Sequence, residues 1–401
     1  MIHRQEGITK FLPLLAFIFV FQISRGMTLP IFPLYFHSIN LSAISLGEAL
    51  GVYGFSFLFF EALWGFLFEK FSSRLLIPII ILGNTIAVLA FASPSSFAEL
   101  VILELLLGMA LGGVGVFPRI AIAKVAGNLE RGRTFGMLGA LYSIGATIGS
   151  LLGGVSDSVL GLSTTFIVAA VFSILSLVPF YWHASLFGKL ERESFESPSA
   201  VGDSGPTVEQ SAKSRTRIMG IFGIGLIGLA MAANNGFFNL LLPNIMEQSP
   251  QISASVVEIS IVLAIFTLST GIISPFMSNL GWRKPYKWIT GGLIVTAVLY
   301  VALSQLHNIL QIDFVTLTIG LSTSFITPLA LSLLTARVPR KLLGRTMGIY
   351  GAIEDVGLII SSSAGSIIWG LYGEQYSFIL IGLIFLFVAV VFQLSIRKEN
   401  S

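Results

Sequence analysis

Twelve long apolar runs follow one another along the chain, each bounded by charged residues, proline or a polar cluster. A helix that crosses a bilayer needs roughly 20 mainly apolar residues, whereas a barrel strand needs about 9–11, so runs of this length predict membrane-spanning helices. Numbered 1 to 12, the predicted spans are 11–36, 45–68, 75–93, 97–124, 134–156, 162–183, 217–246, 255–279, 286–304, 310–337, 345–370 and 376–396.

The low charge content supports a bilayer as the solvent for these runs. Only 11% of the residues are charged and 54% are hydrophobic, whereas a soluble domain carries roughly 25% charged residues. The first run, 11–36, is too long for a signal peptide and lacks a small-residue cleavage site, so we expect it to be retained as span 1. The absence of cysteine excludes disulfides and thiolate metal sites.

Lysine and arginine occur on one side of the predicted spans. Apart from Arg25 and Arg119, which fall inside spans, every basic residue lies in, or at the edge of, the two tails and loops 2–3, 4–5, 6–7, 8–9 and 10–11. Cytoplasmic loops are enriched in Lys and Arg. We therefore expect a multi-pass protein of the cell (plasma or inner) membrane with both termini in the cytoplasm.

The chain contains an internal repeat. Residues 132–136 read Gly-Arg-Thr-Phe-Gly and residues 344–348 read Gly-Arg-Thr-Met-Gly, an offset of 212, while Gly26 in span 1 matches Gly236 in span 7 at an offset of 210. Duplicated six-helix units with the substrate between them are a recurring transporter plan. The repeat therefore predicts two related bundles.

A polar stretch rich in Ser, Glu and Pro, 184–216, separates the two copies and is typical of a flexible linker. We predict an all-α membrane protein of twelve transmembrane helices in two pseudo-symmetric six-helix bundles. The N-terminal bundle is 1–183, the cytoplasmic linker is 184–216, and the C-terminal bundle is 217–401.

Loop 2–3 and two spans carry motifs of a known family. The pattern Gly-x-x-x-Glu-Lys-x-x-x-Arg in loop 2–3 is similar to the Gly-x-x-x-Asp-Arg-x-Gly-Arg-Arg signature of the major facilitator superfamily. It comprises Gly65, Glu69, Lys70 and Arg74, with a second copy ending in Gly281 and Arg283. The chain resembles this superfamily over essentially its whole length, and the resemblance implies the two-bundle fold and a conformational-switch role for these loop residues.

Spans 1 and 5 resemble the drug–proton antiporter branch of that superfamily. Span 1 contains Pro30-Ile-Phe-Pro33, and span 5 contains Gly145-Ala-Thr-Ile-Gly149, with alanine where the branch motif has proline. Span 4 carries Glu104 where the superfamily often has arginine. The small residues of spans 5 and 11 are typical of close helix packing, which the resemblance implies for span 5 against span 8. They are Gly145, Gly149, Gly153 and Gly357.

Charges inside the membrane are costly, at roughly 2.5–3.5 kcal/mol or more each, so they need partners or functions. Arg25 and Glu104 lie at similar distances from the outer face, about 16 and 10 Å by helix rise. We predict an ion pair between them, with a structural role and a role in proton or substrate coupling both open.

Three further carboxylates share one depth near the inner face: Glu61 in span 2, and Glu354 and Asp355 in span 11. Like charges held together favour proton binding. They are therefore candidates for proton coupling, together with Glu104, and the alternative is pairing with Arg119, Arg345 or backbone donors. For Arg119 itself we expect snorkelling to the headgroups, with contact to an anionic substrate as the other interpretation.

Polar and adaptable residues in spans 1 and 7 are candidates for contact with cargo, although interhelical hydrogen bonding is an alternative for the asparagines. They are Arg25, Met27, Asn234, Asn235, Phe238 and Asn239.

The sequence favours a secondary transporter over an enzyme. The four histidines are scattered, and neither an H-E-x-x-H motif nor a P-loop occurs, so we expect no enzymatic activity, cofactor or metal. We predict proton-coupled export of apolar or amphipathic small molecules by alternating access, from a monomer in the lipid bilayer that binds no nucleic acid. Uptake or facilitated transport of a polar metabolite such as a sugar or organic acid, and a channel, remain alternatives.

Overall fold

A computed structural model describes residues 11–93, 96–125, 128–182, 214–272, 285–337 and 343–400. Within these ranges all regular secondary structure is helical. Eleven helices are long and apolar enough to cross a membrane, and a shorter apolar helix, Val256–Gly271, occupies the place of predicted span 8. The prediction of an all-α membrane protein with twelve transmembrane helices is therefore confirmed.

Several spans are built from more than one helical segment. In chain order the segments are Leu12–Thr28 and Phe32–Ser38 (span 1), Ala43–Lys70 (2), Ser73–Ala90 (3), Phe97–Val125 (4), Asn128–Leu160 (5), Leu162–Leu175 and Leu177–Trp182 (6), Ser214–Gly236, the π-helical Phe237–Leu241 and Leu242–Gln248 (7), Val256–Ile272 (8), Pro285–Leu303 (9), Ile309–Thr323 and Ile326–Arg337 (10), Leu343–Ile359, the π-helical Ile360–Ala364 and Gly365–Tyr372 (11), and Glu374–Asn400 (12).

Buried apolar side chains form two cores. One is made almost entirely by spans 1–6 and includes Phe17, Phe117 and Phe180. The other is made by spans 7–12, where Tyr300 packs between Phe237 and Phe385. Most of the predicted linker, 184–216, lies outside the described residues.

Equivalent glycines follow span 5 and span 11, and both have a positive φ. Gly161 follows span 5 with φ 82° and Gly373 follows span 11 with φ 104°, and the next helix begins at the next residue in both cases. A positive φ costs glycine little because it has no Cβ. The two positions differ by 212 residues, so the repeat seen in the sequence extends to backbone conformation.

The same symmetry governs helix packing. A Cβ on Gly145 in span 5 would lie 2.8 Å from the carbonyl oxygen of Phe19 in span 1. A Cβ on Gly357 in span 11 would meet the carbonyl oxygen of Leu229 in span 7. Both members of the second pair are related to the first by the repeat offsets of 212 and 210, so spans 1 and 5 pack as spans 7 and 11 do.

The expected partner of the span 5 glycines was therefore wrong. Besides Gly145, Gly149 approaches Ile23 and Gly153 approaches Met27, both in span 1 and not in span 8. These glycines recur every four residues, so they share one helix face and can meet only one neighbour. The adjacent face of span 5 packs against span 8 through hydroxyl groups: Thr147 and Thr267 are 2.8 Å apart, and Ser150 donates to the Ser260 carbonyl at 3.0 Å.

A second glycine stripe joins spans 2 and 11. A Cβ on Gly47 would lie 2.8 Å from the Ser363 carbonyl oxygen, and one on Gly54 would lie 2.6 Å from the Ile359 side chain. Gly51, between them, faces Ser363 in the same way. Spans 2 and 11 belong to different cores, so the two halves meet here at backbone distance.

Candidate substrate cavity and charge cluster

Breaks in spans 1 and 7 position a cavity between the two cores. Span 1 is interrupted at Leu29–Ile31. The interruption contains Pro30 and is followed by Pro33. Span 7 changes to a π-helix over Phe237–Leu241, immediately before Pro243. Proline removes a backbone donor and prevents a regular helix. Pro33 and Pro243 are equivalent in the repeat, so the first helix of each half departs from regular α-helical geometry at the same depth.

The cavity is lined by eight polar or charged side chains and eight apolar ones, drawn from spans 1, 2, 3, 4 and 7. They are Ser24, Arg25, Thr28, Leu29, Phe32, Phe36, Leu50, Tyr53, Asn84, Val88, Glu104, Leu107, Leu111, Asn239, Leu240 and Asn244. The space open to the centre of a water molecule is about 30 Å³. Pockets for drug-sized ligands have roughly 300–1,000 Å³. In this conformation the cavity therefore has room for water but not for such a ligand.

Arg25 and Glu104 both line this cavity, but the predicted ion pair between them does not form. Tyr53 interacts electrostatically with both groups. Glu104 is only 3% exposed, and neither group has an ion-pair partner among the described residues. A shared depth along two helices does not fix the direction of the side chains, which is why the sequence estimate failed.

The other predicted cargo contacts divide into two groups. Asn239 lines the cavity with Arg25, while Met27 and Phe238 are buried in helix packing. Asn234 accepts a hydrogen bond from the Tyr300 hydroxyl at 2.8 Å, which is the interhelical role set out as its alternative. Asn235 is exposed and its carbonyl accepts a bond from Asn239; it does not line the cavity.

Sequence reasoning missed Tyr53, Asn84 and Asn244. Asn84 is an isolated amide in apolar span 3, and it donates to Ser173 at 3.0 Å. Asn244 donates to the Leu240 carbonyl at 2.7 Å, but its buried Oδ1 has no partner among the described residues. An amide next to a proline in an apolar span was a usable signal for Asn244; nothing in the sequence distinguished Tyr53 from other span residues.

A charge cluster lies at the contact of spans 2, 4 and 11. Arg119 Nη1 lies 3.1 Å from Glu61 Oε1. Arg119 also interacts electrostatically with Glu354 and Asp355, and its Nη1 would be 3.8 Å from a Cβ on Gly351 in span 11. Of the three carboxylates that the sequence placed at one depth, Glu61 thus pairs with the arginine that we expected to snorkel, and the other two interact with it electrostatically.

The Arg119 side chain is 52% exposed, against 14% for Glu61. Its Nη1 nevertheless points toward protein, since it lies 3.1 Å from Glu61 and would be 3.8 Å from a Cβ on Gly351 of span 11. The expected snorkelling to the headgroups is therefore replaced by a bridge from span 4 to span 2 and toward span 11.

The family model for the Major Facilitator Superfamily matches residues 14–231 and 224–401. The chain belongs to the major facilitator superfamily. Among its curated relatives are proteins named "Multidrug resistance protein MdtG". The one from Enterobacter lignolyticus is 23% identical over 94% of this chain and 89% of the relative, and the one from Klebsiella pneumoniae is 24% identical over 94% and 90%.

Among solved structures, the human organic anion transporter MFSD10 (TETRAN) matches with a TM-score of 0.66 over 97% of this chain and 99% of that one. Its identity of 15% makes this a likeness of fold. The superfamily membership identifies this protein as a transporter and not an enzyme.

In this superfamily member, loop 2–3 is a two-residue connection between spans 2 and 3, Phe71 and Ser72, and the signature extends from it into both helices. Lys70 places its Nζ 4.2 Å from the centre of the Phe66 ring, and the Arg74 carbonyl accepts from Tyr181 at 3.5 Å. Gly65 faces span 4 through Val116. The Glu69 side chain and the second copy, Gly281 and Arg283, lie outside the described residues.

At the opposite end of the transporter, His37 and Glu247 connect its two halves. His37 Nδ1 lies 2.6 Å from Glu247 Oε1. The two residues are 210 positions apart, the repeat offset of spans 1 and 7, so this pair joins equivalent sites at the predicted outer end. Nearby, Ser366 of span 11 donates to the Ala43 carbonyl of span 2 at 3.0 Å. The predicted outer end is therefore closed in this conformation.

Proposed function

We propose that this transporter exports apolar or amphipathic small molecules by alternating access, coupled to proton entry. The observation that carries the proposal is the charge cluster where spans 2, 4 and 11 meet: Arg119 pairs with Glu61 and interacts electrostatically with Glu354 and Asp355. The cluster joins the two halves, so its charge state is coupled to their separation.

The charge balance of the cluster favours proton binding. Three carboxylates and one guanidinium carry a net charge of about minus two when fully ionised, and uncompensated charge within a membrane costs several kcal/mol. Protons taken up at the cluster remove that charge. Separation of spans 2 and 11 would admit water and favour proton release, which is the coupling an antiporter needs.

The direction of transport and the cargo class rest on two supports. The relatives named for multidrug resistance favour export. The cavity is lined by eight apolar side chains and eight polar or charged ones, a mixture that suits a ligand with both an apolar body and polar groups. We further propose a cell-membrane location with both termini cytoplasmic, supported by the distribution of Lys and Arg.

Purified protein in liposomes with an internal pH-sensitive dye tests the proposal. With a proton gradient imposed, we expect amphipathic compounds to cause proton flux, and sugars or organic acids to cause none. Glu61→Gln and Asp355→Asn should reduce cargo-dependent flux at least tenfold, whereas Glu374→Gln, which removes a half-buried carboxylate at the start of span 12, outside the cluster, should leave it unchanged.

Two results would contradict the proposal in different ways. Flux with the polar compounds alone would replace the exporter by a carrier of polar metabolites. Cargo movement without proton flux, unaltered in Glu61→Gln and Asp355→Asn, would show an uncoupled facilitator and assign the carboxylates a structural role.

A further inference from the structure

Two opposite charges face the same closed cavity without neutralising each other. Arg25 of span 1 and Glu104 of span 4 both line it, and neither has an ion-pair partner among the residues that the structure describes. Glu104 is 3% exposed. A charge buried in a membrane without a partner is costly, so a ligand that pairs with both groups would stabilise both in their ionised forms.

Tyr53 of span 2 lines the same cavity. It interacts electrostatically with Arg25 and with Glu104, and it is only 2% exposed. Arg25 also interacts with Tyr142 of span 5. Tyrosines from two further spans therefore share the electrostatic environment of the two groups.

A third polar group in the cavity lacks a partner. Asn244 is 1% exposed, and its Oδ1 accepts no hydrogen bond from the described residues. Leaving a buried acceptor unpaired is unfavourable, because its hydration is lost without a replacement bond. Asn244 belongs to span 7, so the cavity presents acceptors from both halves: Glu104 from one and Asn244 from the other. Arg25 is the cationic side chain among the lining residues.

We propose that the cavity binds zwitterionic amphipathic cargo, with the anionic group on Arg25, the ammonium on Glu104 and Asn244, and the apolar body against the leucine and phenylalanine lining. The proposal rests on the proposed function, and it specifies the cargo class. A cargo with one charge would satisfy one protein charge and leave the other buried and unpaired, which is how the site discriminates.

The closed cavity, with about 30 Å³ open to water centres, must widen to admit such a cargo. Its lining comes from both halves, including Thr28 and Phe32 of span 1 and Asn239 of span 7. Separation of the halves therefore enlarges it while each charge stays on its own helix.

A matched series of four compounds tests the charge requirement. The probes are 4-phenylphenylalanine (a zwitterion), its methyl ester (a cation), its N-acetyl derivative (an anion) and the N-acetyl methyl ester (neutral). Binding to the purified protein in nanodiscs is measured by equilibrium dialysis at pH 7. We expect the zwitterion to bind about tenfold or more tightly than any other member, since each charge-assisted contact contributes about that factor.

Variants identify the two contacts. Arg25→Gln should lower zwitterion affinity to that of the cationic ester, and Glu104→Gln should lower it to that of the N-acetyl anion. Lys287→Gln, at an exposed site in span 9, and Glu374→Gln are the matched controls and should bind as the unaltered protein does. Thermal unfolding in nanodiscs confirms that each variant is folded; if Glu104→Gln does not fold, Asn244→Leu replaces it, with a smaller loss expected for the zwitterion.

Equal affinity for the zwitterion and the ester, unchanged in Arg25→Gln, would overturn the proposal and leave a cation site. Equal affinity for all four probes would leave an apolar cavity without charge selection. The readout is binding, so it is independent of proton flux. Selective zwitterion binding without coupled flux would refute the proposed antiport alone, and flux without zwitterion selectivity would refute the cargo class alone.

Discussion

Arg119 is the residue on which the balance of the charge cluster depends. Its bond to Glu61 measures 3.1 Å, but its side chain is 52% exposed, and an ion pair with that exposure contributes about 1 kcal/mol or less to stability. The Arg119–Glu61 pair is therefore too weak to be a major source of the protein's stability. Its position between Glu61 and the span 11 carboxylates suits control of proton occupancy instead.

We predict that Arg119→Gln leaves the protein folded and changes the pH dependence of transport. Loss of the guanidinium removes a positive charge that opposes protonation of the three carboxylates, so protons are released only at higher pH. The pH of half-maximal cargo-dependent flux in liposomes should rise by about one unit or more. Lys287→Gln is the control for loss of an exposed positive charge, and an unchanged profile in Arg119→Gln would show that the pair does not govern coupling.

For individual residues, the sequence predicted depth in the membrane but not the direction of the side chain. Arg25 and Glu104 were placed at compatible depths, yet they line one cavity without forming an ion pair. Asn234 was placed on the cargo side, yet it bonds to Tyr300 of span 9. In both cases the position along the helix was available from the chain, and the direction of the side chain depended on a neighbour from another span.

At the scale of the elements, glycine decides which spans touch. Gly149 in span 5 meets Gly26 of span 1, where a Cβ would lie 2.9 Å from the Gly26 Cα, and it also approaches the Ile23 carbonyl. Membrane helices gain little from hydrophobic burial against each other, so backbone approach of this kind contributes much of their association. The polar face of span 5 remains for span 8, in the other core.

We predict that Gly149→Ala destabilises the protein by about 1–3 kcal/mol, because the new methyl group has no space between spans 1 and 5. The matched control is Gly291→Ala in span 9, where a Cβ would meet nothing within 4 Å. Thermal unfolding of the two variants in the same detergent makes the comparison. Equal melting temperatures would mean that spans 1 and 5 adjust without cost, contrary to the packing described here.

At the scale of the whole molecule, the two cores touch along spans 2 and 11, along spans 5 and 8, and at the predicted outer end through His37 and Glu247. These contacts connect residues that are far apart in sequence, and His37 and Glu247 are also equivalent in the repeat. An alternating-access cycle requires that the outer contact break when the cavity opens outward.

We predict that cross-linking His37→Cys to Glu247→Cys with a short bis-methanethiosulfonate reagent stops transport reversibly. The chain has no cysteine, so the reagent meets no other thiol and no further changes are needed. Cargo flux in liposomes should fall to background after cross-linking and return after reduction, while each single-cysteine variant stays active in the reagent. Full activity of the cross-linked protein would exclude opening at this end.

The sequence alone determined the helical class, the twelve spans and the twofold repeat, because a bilayer imposes length and polarity on every span separately. It also brought Glu61, Glu354 and Asp355 to one depth, since depth follows from helix rise. Three features became visible only in the packed helices: Arg119 pairs with Glu61, Arg25 and Glu104 form no ion pair, and the span 5 glycines meet span 1. Each of these depends on the rotation of one helix relative to another, and rotation is set by packing between spans that no local pattern records.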